Sequence, residues 1–145
     1  NILYFFKIMI PRIDVRGAIA KKQFSSKLNF EYEADGTLLD IPFVSFSSPV
    51  EVALRYEILE NDDVEITGQM RFSLKGECSR CLSAAEQSFT AEIDGLFVAG
   101  ESDGETYGYR NGVIYLEEFL RDGLLVALPP RLLCGTCSAQ DGENE

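Results

Sequence analysis

Two Cys-x-x-Cys pairs constrain this chain more than any other feature of its sequence. Cys78 and Cys81 form the first pair in mid-chain, Cys134 and Cys137 form the second near the C-terminal end, and the sequence contains no other cysteine and no histidine. Two intervening residues let both sulfurs of a pair face one point about 2.3 Å away, so four thiolates can surround one tetrahedral ion. The spacing therefore predicts a shared zinc site with four cysteine ligands, which ties the C-terminal region to the middle of the fold.

Other uses of the four cysteines remain open from the sequence alone. They could be free or partly buried thiols, or they could form disulfides or a redox-active dithiol. The second pair, Cys134-Gly-Thr-Cys137, has the spacing of a redox dithiol, but such thiols are activated at the N-terminus of a helix. Pro129 and Pro130 precede this pair, and a polar stretch without a helical pattern follows it. This context disfavours a thiol oxidoreductase, which stays as an alternative.

The net charge of −11 bears on the partners that this chain of 145 residues can bind. Surfaces that bind the phosphate backbone are usually basic, so nucleic-acid binding by the body of the protein is disfavoured. An acidic surface suits a basic protein partner. Residues 1–27 are an exception, because their basic side chains could form an arm for RNA or a solvated face that pairs with the acidic body: Lys7, Arg12, Arg16, Lys21, Lys22 and Lys27.

Alternating apolar and polar residues predict a mainly antiparallel sheet. Residues 50–58 and 64–75 alternate on either side of a turn signal at residues 61–63, which indicates a long hairpin. The first cysteine pair follows directly, and residues 89–97 indicate a third strand that returns across the sheet. We therefore expect the first pair to lie at a corner between two strands, where a rigid scaffold holds its sulfurs.

One helix is predicted, over residues 116–127. Its apolar residues recur at the spacing of a buried helical stripe, and Pro129 and Pro130 end it. Asn111-Gly112 also predicts a short hairpin between residues 107–109 and 113–115. The predicted fold class is α+β: a mainly antiparallel β sheet, which could close into a barrel-like form, with one C-terminal amphipathic helix.

The chain is predicted to form a single domain over residues 13–138. Residues 1–12 and 139–145 are expected to be poorly ordered or peripheral ends. The apolar run at residues 1–10 is interrupted by Lys7 and is too short to span a bilayer. It also lacks the basic start and the cleavage site of a signal peptide, so we expect a cytoplasmic location without a membrane partner. No small-molecule substrate is expected, and the oligomeric state is left open.

Three segments and the second cysteine pair together resemble the YceD-like family. The segments are CSRCL at residues 78–82, YLEEFL at residues 115–120 and LVALP at residues 125–129. The resemblance implies a protein of bacteria or plastids that supports accumulation of the large-subunit (23S) ribosomal RNA during ribosome biogenesis. The positions that match the family's motifs are Cys78, Arg80, Cys81, Cys134 and Cys137.

Basic residues near the first cysteine pair are candidates for partner binding. Arg80 lies between the two cysteines, and with Arg71 and Lys75 it could form a small positive spot that contacts a phosphate or a carboxylate. Alternatively, Arg80 pairs with Glu77 or caps the loop. With the resemblance, the expected partner is ribosomal RNA or a basic ribosomal protein. An acidic protein-binding module without direct RNA contact is the alternative. No catalytic residues are predicted, because histidine and the usual nucleophile and phosphate-binding motifs are absent.

Overall fold

The computed structural model describes residues 10–101 and 104–143. Lys7 and most of the apolar run at the start of the chain lie outside the described residues. The strands and helices follow one another in this order: β1 (Arg12–Asp14), α1 (Val15–Ala20), β2 (Ser25–Tyr32), a 3₁₀ turn (Gly36–Leu38), β3 (Val44–Phe46), β4 (Val50–Ile58), β5 (Val64–Glu77), β6 (Ala84–Ala99), β7 (Tyr107–Tyr109), β8 (Val113–Tyr115), α2 (Glu117–Ala127) and α3 (Gly135–Glu143).

A six-stranded sheet forms the body of the protein. Its strands lie in the order β2-β4-β5-β6-β7, and β3 also pairs with β5, beyond the end of β4. The β5–β6 hairpin is the longest pair, with a continuous antiparallel register that brings Val64 opposite Phe97 and Glu77 opposite Ala84. The predicted hairpin over β4 and β5 and the predicted third strand are confirmed, because side chains that alternate in the sequence alternate between core and solvent.

The short hairpin predicted around Asn111-Gly112 does not form a ladder between its two strands. β7 pairs with β6 in parallel, whereas β8 pairs with β1 in a separate two-stranded sheet. The turn itself is present, since Asn111 and Gly112 both have positive φ values, of 60° and 72°. The carbonyl of Gly112 accepts hydrogen bonds from the backbone of Val15 and Arg16, so long-range pairing decides where the two strands go.

The predicted fold class of a sheet that could close into a barrel, with one C-terminal helix, is wrong. The protein is mostly β, with 47% of residues in strands and 20% in helices, and it has more than one sheet and more than one helix. In residues 10–101 and 104–143, β2 and β7 end the larger sheet without pairing to each other, so it stays open. The predicted helix is present as α2, but a further helix, α3, follows it.

Helix α2 covers the apolar face of the sheet, so this face is buried although the sheet stays open. Phe119, Leu120 and Leu124 of α2 are buried in the main core. The helix lies so close to β6 that a Cβ atom added at Gly123 would be 2.6 Å from Ile93, and one added at Gly95 would be 2.8 Å from the ring of Phe119. Burial of this helical stripe therefore supplies the second layer of the core.

Aromatic rings join β6, β7 and α2. The ring centroids of Phe97 and Tyr107 lie 4.9 Å apart, and each lies 5.6 Å from that of Phe119. The hydroxyl of Tyr107 donates a hydrogen bond of 2.8 Å to Asp122 on α2. The hydroxyl of Tyr109, also on β7, donates to the carbonyl of Asp62 in the turn between β4 and β5.

None of the helices in the described residues, 10–101 and 104–143, is long and apolar enough to cross a membrane.

Replacing Tyr107 by phenylalanine is expected to reduce the loss of stability at alkaline pH. Burial, and then the hydrogen bond to Asp122 and its negative charge, raise the pKa of Tyr107 to about 12. In the unfolded chain this tyrosine loses its proton at about pH 10. Between pH values of about 10 and about 12, the folded state therefore binds more protons than the unfolded state does. Below about pH 10, Tyr107 therefore makes its full contribution to the free energy of unfolding. This contribution is lost as the pH rises through about 12.

Chemical denaturation at about pH 9 and about pH 11 measures this difference. Tyr107→Phe should lose less stability between the two pH values than the wild-type protein. Tyr115→Phe, which changes an exposed tyrosine, is the matched control and should behave like the wild type. Equal losses for Tyr107→Phe and the wild type would contradict the prediction.

Candidate metal centre

The first cysteine pair lies in the loop that closes the longest hairpin. β5 ends at Glu77 and β6 begins at Ala84, and residues 78–83 between them form what we call the hairpin loop. The backbone N–H of Cys78 donates to the carbonyl of Ser83 at 2.8 Å, and that of Leu82 donates to the carbonyl of Cys78 at 2.9 Å. The prediction that the first pair sits at a corner between two strands is therefore confirmed.

The second cysteine pair lies at the start of α3. Cys134 directly precedes this helix and Cys137 falls in its first turn. The expectation that the sequence after the pair lacks a helix is wrong. Its composition carries no amphipathic pattern, so the helix depends on packing rather than on propensity. That packing is visible at Leu132, Leu133 and Cys137, which are all buried.

Hydrogen bonds attach residues 131–143, which we call the C-terminal segment, to the hairpin. The N–H of Ser79 in the hairpin loop donates to the carbonyl of Leu132 at 2.9 Å. On β6, the side-chain oxygen of Gln87 accepts from the N–H of Leu133 at 3.0 Å, and its amide nitrogen donates to the hydroxyl of Ser138 at 3.5 Å. Gln87 therefore holds the C-terminal segment on both sides of the second cysteine pair.

The four cysteine sulfurs meet between the hairpin loop and the C-terminal segment. Their Sγ atoms all lie within 4.8 Å of one another, and those of Cys81 and Cys134 are 3.6 Å apart. A tetrahedral ion with sulfur ligands at about 2.3 Å requires edges of about 3.8 Å between sulfurs. The donor set therefore fits a four-coordinate metal after small side-chain movements, and we call these residues the four-cysteine cluster.

Burial differs among the four cysteines. Cys78 and Cys137 are buried, Cys134 is half-buried and Cys81 is exposed. With Leu133, the two buried cysteines form a small core that is separate from the main core of the sheet. The main core includes Leu132 of the C-terminal segment, and the cluster holds the residues that follow it.

Backbone amides stabilise negative charge at two of the sulfurs. N–H groups of Cys81, Cys134 and Arg80 donate to Cys78 and lower the pKa of its thiol to about 6, although burial opposes the shift. The N–H of Cys137 likewise lowers the pKa of Cys134. Burial and the neighbouring thiols raise the pKa of Cys137 to about 12. A divalent cation would supply the charge needed to hold all four groups as thiolates.

Two residues of this site were not predicted from the sequence. The hydroxyl of Ser83 lies 2.9 Å from the sulfur of Cys81, where it can donate to a thiolate. The other residue is Gln87. The sequence does contain an indication of its role, because strand alternation places this polar residue on the same face as Ala85 and Phe89. A polar side chain at such a position needs a hydrogen-bonding partner, which here is the C-terminal segment.

The three predicted partner-binding residues lie on the hairpin, two on β5 and one in the hairpin loop. Arg71 and Lys75 are exposed on the solvent face of β5, and Arg80 is exposed in the hairpin loop. Arg71 lies opposite Glu51 on β4, and Lys75 lies opposite Glu86 on β6. Their role in binding a partner stays a prediction.

These features define a β-sheet protein whose hairpin loop and C-terminal segment meet at a four-cysteine cluster. Residues 66–145 match the family described as large ribosomal RNA subunit accumulation protein YceD. This region is more than half of the chain and contains all four cysteines, and the chain belongs to this family. The resemblance noted from the sequence is thereby confirmed. Comparison with curated proteins finds no match, and comparison with solved structures finds none either.

Proposed function

We propose that this protein is a non-enzymatic ribosome-biogenesis factor that supports accumulation of the large-subunit ribosomal RNA and holds one structural zinc ion. The zinc ligands are Cys78, Cys81, Cys134 and Cys137. The observation that carries the proposal is the convergence of these four sulfurs within the region that matches the family. Membership of the family indicates the biological process. The proposal is that this process depends on the part of the protein that the four-cysteine cluster holds together.

Zinc is favoured by the chemistry of the donors. Four cysteine sulfurs, without histidine or carboxylate, are typical of structural zinc sites. A zinc ion with four thiolate ligands has no open position for water or substrate, so it stabilises the fold and does not catalyse. Its role here is to join the hairpin loop to the C-terminal segment, because each contributes one cysteine pair.

We propose that Arg71, Lys75 and Arg80 contact the partner near this junction. Arg80 belongs to the loop that holds two of the ligands and lies within the region that matches the family. A guanidinium group suits the phosphate of ribosomal RNA or a carboxylate of a protein. The zinc ion fixes the loop, so the position of Arg80 depends on the cluster.

Cells from which the gene has been deleted provide the test of this function. The ratio of large-subunit to small-subunit ribosomal RNA should fall in the deletion strain, and the wild-type gene should restore it. The double variant Cys81→Ser/Cys134→Ser should fail to restore the ratio, whereas Ser79→Ala, which alters the same loop and keeps every thiol, should restore it. An unchanged ratio in the deletion strain, or full restoration by the cysteine variant, would contradict the proposal.

Arg80→Ala separates the partner contact from the metal site. This variant retains all four cysteines, so its zinc content should equal that of the wild type. We expect it to restore the ribosomal RNA ratio only partly, because the proposed contact is lost while the fold is kept. Full restoration would remove Arg80 from the proposed site.

A further inference from the structure

The outer edge of β6 is a long strand edge without a partner. β6 pairs with β5 from Ala84 to Phe97, but it pairs with β7 only over the last residues, from Phe97 to Ala99. Over residues 84–96 this edge makes no backbone hydrogen bond to any other segment that the structure describes. In an antiparallel edge strand, every second residue directs both its N–H and its C=O away from the sheet. These groups can pair with an added strand.

Several of the devices that protect a strand edge are missing from this one, whose charged residues are all acidic. Natural edges are short, bulged, or interrupted by lysine or proline. Residues 84–96 contain no lysine, arginine or proline, and their register with β5 has no bulge. The opposite edge of the sheet, β2, is shorter and carries Lys27. The edge of β6 is therefore the better template for strand addition.

The charges of β6 decide which kind of strand it accepts. Glu86, Glu92 and Asp94 are all exposed, and they are the only charged residues in this stretch. Two copies paired antiparallel around Thr90 would place Glu86 opposite Asp94 at two positions. Like charges that lie directly opposite one another destabilise a pair of strands, whereas opposite charges stabilise it. In this register a basic segment is therefore favoured over a second copy of this chain.

The other face of β6 indicates the remaining side chains of the partner. Ala85, Gln87 and Phe89 are half-buried on the face that packs towards the core. There Ala85 packs on the small core around the buried cysteines, and Gln87 contacts the C-terminal segment. The ring of Phe89 stacks on that of Phe72 at 5.2 Å. Side chains of an added strand alternate between the two faces. The best partner thus carries lysine or arginine on one face and apolar residues on the other.

We propose that the outer edge of β6, over residues 84–96, binds an extended protein segment that is rich in lysine and arginine by adding it to the sheet as a strand. Backbone hydrogen bonds provide the attachment, and Glu86, Glu92 and Asp94 select the basic partner. This inference deepens the proposed function, because it names the chemistry of a partner, but it depends on the edge of β6 and not on the four-cysteine cluster.

Synthetic peptides with alternating lysine and valine, about thirteen residues long, test the proposal on the purified full chain. The lysine peptide should bind, and binding should weaken as salt is added. A peptide with glutamate in place of lysine should not bind. A lysine peptide with N-methylated backbone amides should bind at least about tenfold more weakly, because it cannot donate the ladder hydrogen bonds.

Variants of the protein locate the binding site. Glu92→Lys/Asp94→Lys should weaken binding of the lysine peptide at least about tenfold, because two attractive pairs become repulsive. The control Glu31→Lys/Glu57→Lys makes the same change in net charge on β2 and β4 and should bind normally. Hydrogen exchange should show that alternate amides of residues 84–96 become protected when the peptide binds.

Any of these results would overturn the inference: equal binding of the methylated peptide, protection of β2 instead of β6, equal weakening by the control variant, or dimerisation of the protein through β6 without peptide. Displacement of the lysine peptide from this edge by single-stranded RNA that binds more tightly would overturn the inference as well. Failure of the proposed function can be told apart from failure of this inference, because the first is measured in cells and the second by peptide binding to purified protein. A normal ribosomal RNA ratio in the deletion strain leaves these binding results unchanged.

Discussion

Replacing Cys78 by serine is expected to abolish binding of the proposed zinc ion and to free the C-terminal segment from the hairpin loop. Cys78 is fully buried, and its sulfur accepts backbone hydrogen bonds from the N–H groups of Arg80, Cys81 and Cys134. A serine hydroxyl is a poor zinc ligand and cannot replace a thiolate in this set. Because metal binding in such sites is coupled to folding, we expect the local stability of the C-terminal segment to fall by about 3 kcal/mol or more.

Two measurements check this expectation. Elemental analysis should show that Cys78→Ser has lost its zinc. Hydrogen exchange should show that residues 133–139 lose protection, whereas β4 and β5 keep theirs, because the main core includes Leu132 but not the cysteines. Ser79→Ala alters the neighbouring residue and keeps all four sulfurs, so it should retain both zinc and protection. Unchanged zinc content in Cys78→Ser would contradict the assignment of this residue as a ligand.

The second large effect is expected in the main core. Leu120 on α2 is fully buried, and its replacement by alanine leaves a cavity between the helix and the sheet. Substitutions of this kind cost about 2–5 kcal/mol. Leu125 lies on the same helix but is 46% exposed, so Leu125→Ala is a matched control that should cost less than about 1 kcal/mol.

Urea denaturation followed by circular dichroism measures both variants. Leu120→Ala should shift the unfolding midpoint strongly and still bind zinc, because Leu120 belongs to the main core and not to the four-cysteine cluster. The pair of variants thus separates the stability of the sheet from that of the metal junction. Similar losses for Leu120→Ala and Leu125→Ala would contradict the observed orientation of α2.

Patterns that depend on neighbouring residues were predicted correctly from the sequence. β4, β5 and β6 follow strict alternation because one face of each strand is buried. The buried stripe of α2 has the spacing of a helix that packs on one side, and Pro129 follows its end. The spacing of the two cysteine pairs indicated a shared site, because it constrains where two sulfurs can point.

Features that depend on distant parts of the chain were missed. Strand propensity does not indicate that β7 pairs with β6 in parallel while β8 joins β1. Nor does composition predict α3, since its sequence has no apolar stripe and its stability comes from contacts of Leu133 and Cys137 with the hairpin. The barrel-like sheet was wrong because α2 already covers the apolar face.

The position of α3 also changes the case against a thiol oxidoreductase. A Cys-x-x-Cys pair at the start of a helix is the setting in which thiols are activated, so the absence of a helix no longer argues against that function. The remaining argument is geometric. Both sulfurs of the first pair lie within 4.8 Å of those of the second, which favours one shared ion over an isolated dithiol.

X-ray absorption at the zinc edge, combined with elemental analysis of protein purified under reducing conditions, tests the junction between the hairpin loop and the C-terminal segment most directly. We predict one zinc ion per chain, bound by four sulfur atoms at about 2.3 Å. Metal-free protein with four freely reactive thiols, or zinc coordinated by oxygen or nitrogen in place of any of the four sulfurs, would contradict a zinc site shared by the two cysteine pairs.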